Sequence, residues 1–235
     1  MKRPRCLDLF SGAGGAAMGL WRTGFDVVGV DHVPQPRYPF PFVRADALRP
    51  PFRLEDFDLV WASPPCQGYS ALKVMPNRRE HVLLVDPVRA MLRAARLSVI
   101  ENVGGAPLLD PLELCGSMFD LESEGFQLRR HRYFEASFFV LGTGCQHAPQ
   151  TVGVYGGKAR NIAQEKRHYA KDKATRGEPQ GVVLKQGIGR AAMGIDWMNM
   201  EELSEAIPPA YSAHIGRYAL MALNLDPDEY AREEP

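Results

Sequence analysis

The chain has 235 residues, of which 45% are hydrophobic, the ordinary composition of a globular protein with one domain or a domain and a small appendage. Its 28 basic and 28 acidic residues cancel, so any surface that binds nucleic acid must be local. The N-terminus runs directly into a predicted strand, and no apolar run reaches the roughly 20 residues that cross a membrane. The sequence therefore predicts a soluble cytoplasmic protein without a signal peptide and without a membrane partner.

The cysteines are widely separated in the sequence. Cys6, Cys66, Cys115 and Cys145 include no CxxC pair. This spacing argues against a zinc knuckle and against a small disulfide scaffold. We therefore expect reduced thiols and no metal site.

The first half of the chain alternates short apolar runs with amphipathic stretches. In chain order these are CLDLF, GGAAMGLWRTG, DVVGVD, DLVWASPP, VLLVDPVRAMLRAARL and SVIENV. This alternation predicts an α/β fold of Rossmann-like type, with a mostly parallel sheet covered by helices. Ligands in such sheets lie beyond the carboxyl ends of the strands, so we expect the functional residues just after each strand.

The first of these junctions resembles a nucleotide site. The strand LDLF is followed by SGAGG, which predicts a glycine turn that opens a helix. Asp31 ends the next strand, nineteen residues after Gly12, where its carboxylate can accept hydrogen bonds from ribose hydroxyls. Because Gly12, Gly14 and Ala17 also satisfy the relaxed fingerprint G-x-G-x-x-A, a nicotinamide cofactor stays open at this point.

Two chemically reactive side chains follow later strands. Cys66 lies in the loop PPCQGYS after the strand DLVWA, where an electropositive setting can turn the thiol into a nucleophilic thiolate. Glu101 ends the strand LSVI and should emerge at the same edge of the sheet. Burial there would raise its pKa enough for the carboxylic acid to donate a hydrogen bond.

The second half of the chain changes character. Residues 132–140 (RYFEASFFV) predict further sheet, residues 142–188 loops or a small basic subdomain, and residues 189–235 helices that return to the domain formed by residues 1–141. Residues 158–176 hold seven Lys and Arg against two acidic residues, a net charge of 7 − 2 = +5. Such a segment is either a phosphate-binding face or a solvated charged loop.

Taken together, these blocks resemble the DNA (cytosine-5) methyltransferase family. The matching blocks are DLFSGAGG at 8–15, PPCQGYS at 64–70, ENV at 101–103 and LRRHRYF at 128–134, in the order that the family has them. AAMGIDWM and IPPAYSAHIG resemble the last two blocks less faithfully. Gln127 stands one position away from the family's glutamine, and Ala210-Tyr211-Ser212 replaces the usual Gly-Asn-Ser.

The resemblance implies a role for each group. Cys66 would attack C6 of a cytosine, Glu101 would hydrogen-bond N3 and the exocyclic amine, and Arg132, paired with Arg130, would hold the base carbonyl. Asn102 would support the cysteine loop. The implied cofactor is S-adenosylmethionine, bound by Phe10, Ser11, Gly12, Gly14, Gly15, Asp31, His32, Asp46, Ala47, Pro65 and Ser212.

The implied partner is double-stranded DNA, because a stacked cytosine must be flipped out before its C6 can be attacked. The residues expected to contact DNA are Gln67, Ser70, Lys158, Arg160, Lys166, Arg167, Lys171 and Lys173. The resemblance implies that residues 1–141 form the catalytic domain, to which residues 189–235 return, and that residues 142–188 form a short basic target-recognition region. Such a short region favours a compact monomer of the phage or prophage type, acting in restriction-modification or self-protection inside a bacterial cell or an infected host.

Several alternatives remain. A related enzyme acting on RNA, or one that adds a modified one-carbon group, would share most of these residues. A nicotinamide oxidoreductase explains the glycine turn but not PPCQ beside ENV, and a non-catalytic DNA-binding relic would be expected to have lost one of the reactive residues. A zinc deaminase needs a PCxxC ligand pair that Cys66-Gln67-Gly68-Tyr69 does not provide.

Overall fold

The computed structural model describes residues 2–69, 82–161 and 183–232. Its strands are β1 (Arg5–Leu9), β2 (Asp26–Asp31), β3 (Phe42–Arg44), β4 (Leu59–Ala62), β5 (Ser98–Asn102), β6 (Leu112–Leu114), β7 (Glu122–Ser123), β8 (Phe126–Leu128), β9 (Arg132–Ala136), β10 (Thr151–Tyr155) and β11 (Lys158–Asn161). Its α-helices are α1 (Gly15–Arg22), α2 (Val85–Leu92), α3 (Gln186–Met193), α4 (Met200–Glu205), α5 (Pro209–Ala222) and α6 (Pro227–Tyr230), and short 3-10 helices cover Leu54–Asp56 and Gly116–Phe119.

Seven strands form the main sheet, in the order β3-β2-β1-β4-β5-β9-β6. The first five are parallel to one another, and β9 runs antiparallel to both β5 and β6. The predicted α/β fold with a mostly parallel sheet is therefore confirmed. Strand order reverses between β1 and β4, and ligands of open α/β sheets bind in the crevice at such a reversal.

The main sheet is covered on both faces. Along β4 the side chains alternate, so that Leu59 and Trp61 join one apolar cluster while Val60 and Ala62 join another. Helices α1 and α5 cover the first face so closely that a Cβ on Gly19 would lie 2.0 Å from the carbonyl oxygen of Pro209. Strands buried on both faces explain why these segments appear as continuous apolar runs in the sequence.

A smaller sheet has the order β11-β10-β8-β7 and packs against α3 in a third apolar cluster. Its strands β7 and β8 come from residues before 142, so the predicted 142–188 region supplies only β10 and β11 of the four. The predicted domain boundaries stay a prediction. Within residues 2–69, 82–161 and 183–232, no helix has the length and apolar character needed to span a bilayer.

Candidate active site

The glycine turn after β1 opens one wall of a cavity. Phe10 and Gly12 adopt left-handed backbone conformations, with φ of 55° and 48°. A Cβ on Gly12 would meet no described atom within 4 Å, whereas one on Gly14 would lie 2.8 Å from Cδ of Pro39. Gly12 therefore borders open space, while Gly14 is required by packing. Helix α1 begins here without a side-chain cap, which leaves its N-terminus suited to electronegative groups.

Asp31 joins this turn to the end of β2. One of its carboxylate oxygens accepts a hydrogen bond from the Gly12 amide at 3.1 Å, and the other accepts one from the Val33 amide at 3.0 Å. A carboxylate has about four lone-pair sites, so each oxygen retains the capacity to accept another hydrogen bond. His32 extends from the rim, with Nδ1 3.2 Å from Asp31 Oδ1.

The cavity has a volume of about 340 Å³ and lies at the carboxyl ends of the parallel strands. This volume is in the range of pockets that bind small molecules, roughly 300–1,000 Å³. It brings together most of the predicted catalytic and cofactor-binding residues, and also Gln67 of the predicted DNA-binding residues: Phe10, Ser11, Gly12, Gly15, Asp31, His32, Pro65, Cys66, Gln67, Glu101 and Arg132.

Glu101 and Arg132 form an ion pair inside the cavity. Arg132 Nε lies 3.1 Å from Glu101 Oε1, and the two side chains are only 14% and 11% exposed. Burial raises the pKa of the Glu101 carboxyl, while the charge of Arg132 and a hydrogen bond with Ser63 oppose that rise. The carboxyl is therefore more easily protonated than an exposed glutamate.

Cys66 lies half-buried near this pair. Burial raises the pKa of its thiol, the positive charge of Arg132 lowers it, and the negative charge of Glu101 raises it again. The net shift is upward, so the electropositive setting expected from the sequence is present but burial outweighs it. Arg132 is the cation that would contribute most to stabilising a thiolate at this position, and Arg130 adds a smaller effect.

Asn102 lies beneath the cysteine loop and is fully buried. Its Nδ2 donates to the Pro64 carbonyl at 2.9 Å, and its Oδ1 accepts from the Val103 amide at 2.9 Å. The loop is also closed by a turn in which the Tyr69 amide donates to the Cys66 carbonyl. Asn102 thus holds the residue two positions before the cysteine without itself lining the cavity.

The chain is similar to known methyltransferases in part of its sequence and in its fold. No protein-family model matches the chain. The chain is 33% identical over 125 residues to the type II methyltransferase M.XorII of Xanthomonas oryzae pv. oryzae, an alignment that covers 45% of this chain and 29% of that protein. The predicted resemblance to methyltransferases is confirmed over this segment. The chain spans less than a third of the length of this curated relative.

Solved structures agree on the methyltransferase fold. A prophage-encoded E. coli protein described as a DNA modification methyltransferase aligns with a TM-score of 0.58 and 14% identity, over 94% of this chain and 99% of its own. The S. pombe Dnmt2 methyltransferase aligns with a TM-score of 0.59 and 13% identity, over 95% of this chain and 100% of its own. At such low identity these matches establish the Rossmann-like methyltransferase fold alone.

Arg130 lies outside the cavity of this methyltransferase fold. Its guanidinium donates to the carbonyl oxygens of Val154, at 2.5 Å, and of Ser204, at 2.7 Å, while its own carbonyl accepts from the Tyr211 hydroxyl. Burial, and to a smaller extent the charge of Arg132, lowers the pKa of Arg130 to about 9. Of the two predicted arginines, only Arg132 reaches the cavity; Arg130 connects the start of β9 to β10 and α4.

Other residues predicted to bind the cofactor lie away from the cavity. Asp46 is exposed, and its Oδ1 accepts from the Leu48 amide at 2.9 Å, as in a local turn. Ala47 is buried in the core below the sheet, and the hydroxyl of fully buried Ser212 donates to the Pro209 carbonyl inside α5. The lining of the cavity includes none of Gly14, Asp46, Ala47 and Ser212.

The expected DNA-binding residues divide into three groups. Gln67 is exposed at the cavity, and Lys158 and Arg160 lie on β11 of the smaller sheet. The guanidinium of Arg160 lies 5.8 Å from the centre of the Tyr155 ring. Ser70, Lys166, Arg167, Lys171 and Lys173 lie outside the described residues.

The end of α4 supplies lining residues that the sequence analysis missed: Glu202, Glu205, Ala206 and Ile207. Asn199 and Glu202 form a capping box, in which each side chain bonds the other's backbone amide. The N-x-x-E pattern signals a helix start in sequence. Nothing in the pattern indicates that this helix, far away in the chain, ends against the glycine turn.

The inference from cysteine spacing requires correction. The fold brings Cys115 and Cys145 together with His131 and His147, so that one ligand atom from each lies within 4.8 Å of all the others. Sequence separation failed as an argument because residues from three segments converge at one end of β6 and β9. The spacing of the cysteines in the sequence is therefore no argument against a metal site.

Proposed function

We propose that this protein is a DNA cytosine-5 methyltransferase, which transfers a methyl group from S-adenosylmethionine to C5 of a cytosine flipped out of the duplex. The observation that carries the proposal is a single cavity in which Cys66, Glu101 and Arg132 lie beside the glycine turn and Asp31. A thiol and a carboxyl group next to a nucleotide-type pocket match the needs of a reaction that adds a nucleophile to a base and alkylates it.

The residues on the other side of the cavity fit S-adenosylmethionine. The Ser11 hydroxyl is buried in the lining, with no hydrogen-bond partner among the described residues, and Asp31 can accept hydrogen bonds from the ribose. The uncapped start of α1 favours the carboxylate of the methionine moiety. When bound, S-adenosylmethionine supplies an electrophilic methyl group.

Cys66 would act as the nucleophile. Its thiol loses a proton to solvent, and the sulfur forms a bond to C6 while electron density moves to C5. After C5 has gained the methyl group it loses its proton to solvent, and the Cys66–C6 bond breaks to restore both the aromatic base and the thiolate. The charge of Arg132 stabilises the thiolate in the first and last steps.

Glu101 would activate the base. Because burial raises its pKa, the carboxyl can donate a hydrogen bond to N3 of the cytosine and withdraw electrons from C6. Arg132 Nε is paired with Glu101, and Nη1 donates to the His131 carbonyl at 2.9 Å. The guanidinium has five N–H donors, so Nη2 can donate to the carbonyl oxygen of the base.

Three residues would contact the DNA duplex: Gln67 at the cavity, and Lys158 and Arg160 on β11. Flipping one nucleotide costs a few kcal/mol, which contacts to the DNA backbone must offset. In this proposal the smaller sheet holds the DNA while the main sheet carries the chemistry.

A trapping experiment tests the proposal. Duplex DNA containing 5-fluorocytosine has no C5 proton to lose, so with S-adenosylmethionine the adduct to Cys66 should persist as a band on a denaturing gel. Cys66→Ala should give no band, and the exposed-surface variant Met221→Ala should give the wild-type amount. A matched 5-fluorocytosine RNA tests the substrate: trapping on RNA alone would overturn the assignment to DNA.

A further inference from the structure

A cluster of four side chains has no part in the proposed reaction. Cys115 follows β6, His131 immediately precedes β9, and Cys145 and His147 lie in the connection from β9 to β10. The antiparallel pairing of Leu114 with Arg132 places Cys115 and His131 beside each other at one end of these strands.

Their spacing matches that of ligands around a tetrahedral metal ion. Cys115 Sγ lies 3.4 Å from His147 Nε2, and Cys145 Sγ lies 3.4 Å from His131 Nε2. In a tetrahedral zinc site, with Zn–S distances of about 2.3 Å and Zn–N distances of about 2.0–2.1 Å, neighbouring ligand atoms lie about 3.5 Å apart. The four atoms converge within 4.8 Å, so small side-chain rotations complete the coordination.

We propose that Cys115, His131, Cys145 and His147 bind one Zn²⁺ ion. Two thiolates and two imidazoles are a ligand set that selects zinc over magnesium or calcium, which prefer oxygen ligands. Four protein ligands fill the tetrahedral shell and leave no position for a reacting water, so the site is structural. Binding releases the two thiol protons to solvent.

The ion would cross-link a connection that has no regular secondary structure. Residues 137–150 contain no helix or strand. Their contacts with the rest of the chain include a hydrogen bond from the Ala148 amide to Gln127 Oε1. The metal would attach this connection to the edge of the main sheet. It would also fix the position of His131 between two arginines. Arg130 donates to the Val154 carbonyl in the smaller sheet, and Arg132 pairs with Glu101 in the cavity.

Charge and burial around the cluster agree with a cation. Glu113 Oε1 lies 3.4 Å from His131 Nε2, which places a carboxylate next to the proposed ion. Cys115 is fully buried, whereas His147 is exposed, so the ion can enter from the solvent side. A Cys115–Cys145 disulfide is the competing use of the two thiols, and it would leave both histidines without a role.

Metal content of the whole chain gives the direct test. Protein purified without chelator should contain close to one equivalent of zinc per chain, as measured by elemental mass spectrometry. Cys145→Ala should lose it, whereas the matched control Cys66→Ala, which removes a thiol outside the cluster, should retain it. His147→Gln, at the exposed end, provides a second variant if Cys145→Ala does not fold, and should weaken zinc binding by more than the roughly 10–100-fold cost of losing an outer-shell partner.

Cobalt substitution gives a second measurement that is independent of methyl transfer. Chelated wild-type protein titrated with Co²⁺ should develop the visible d–d bands of a tetrahedral site and a thiolate-to-cobalt charge-transfer band, both absent from Cys145→Ala. Chelator should lower the Tm of the wild type but not of Cys145→Ala. The proposal would be overturned if the wild type is purified without metal and develops no cobalt bands. A Cys115–Cys145 disulfide found in non-reduced peptides would overturn it as well.

Discussion

Arg132 Nε lies 3.1 Å from Glu101 Oε1, although 30 residues separate the two along the chain. The antiparallel register of β5 and β9 pairs Glu101 with Phe134, which places Arg132 just beyond the carboxyl end of β5. Arg132 therefore acts on both the carboxyl group and the Cys66 thiol, and the charge of Arg130 adds a smaller effect on each. The charge of Arg132 opposes the effect of burial on both pKa values.

Replacing Arg132 should raise both pKa values further, because the largest effect that opposes burial at each group would be removed. In Arg132→Gln a smaller fraction of Cys66 is thiolate at any given pH. The rate of Cys66 alkylation by iodoacetamide, followed against pH by peptide mass spectrometry, should therefore reach half its maximum at a higher pH than in the wild type. The exposed control Arg96→Gln should keep the wild-type profile, and an unchanged profile in Arg132→Gln would contradict the assigned role.

Replacing Glu101 with glutamine keeps the shape of the side chain but removes the carboxylic acid that would donate a hydrogen bond to the base. Since positioned acids and bases contribute about 10²–10⁴-fold to rates, Glu101→Gln should lower kcat by that range. Methyl transfer to duplex DNA measures the effect, and Glu201→Gln on the exposed face of α4 is the matched control. A Glu101→Gln enzyme with wild-type kcat would exclude acid catalysis by this residue.

Asn102→Ala should loosen the cysteine loop. The substitution leaves the Pro64 carbonyl without its buried donor, which costs about 1–3 kcal/mol. Urea unfolding should therefore show a lower midpoint with an unchanged slope. The rate of methyl transfer should fall by more than the loss of folded protein explains, because Cys66 is no longer held; a rate that follows the folded fraction alone would assign Asn102 to stability only.

The buried carboxyl of Asp8 makes stability depend on pH. Burial raises its pKa from 3.8 to about 8, against a hydrogen bond from the Tyr38 hydroxyl that lowers it. Between about pH 4 and pH 8 the unfolded chain loses this proton while the folded chain keeps it. The free energy of unfolding should fall as pH rises through that window, by up to about 1.4 kcal/mol per pH unit from this group.

Asp8→Asn should remove this contribution, since an amide does not titrate. Its unfolding free energy, measured by urea denaturation from pH 5 to pH 9, should decline less steeply than that of the wild type. Asp56→Asn changes an exposed aspartate and should leave the slope as it is. Equal slopes for the wild type and Asp8→Asn would show that Asp8 is not protonated in the folded state.

Local patterns predicted the parts of the fold that depend on neighbouring residues. Alternating apolar runs indicated the parallel strands, and the glycines after β1 indicated the turn into α1. Sequence position alone did not separate Arg132, which reaches the cavity, from Arg130, which turns to the smaller sheet. The approach of α4 to the glycine turn and the convergence of Cys115 with Cys145 depend on tertiary packing, which no local pattern records.

The most direct test of the central claim is methyl transfer from tritium-labelled S-adenosylmethionine to mixed-sequence duplex DNA, with the labelled base then identified. We expect label on C5 of cytosine with the wild type and none with Cys66→Ala, while Met221→Ala matches the wild type. Label on adenine, or undiminished cytosine labelling by Cys66→Ala, would contradict the account.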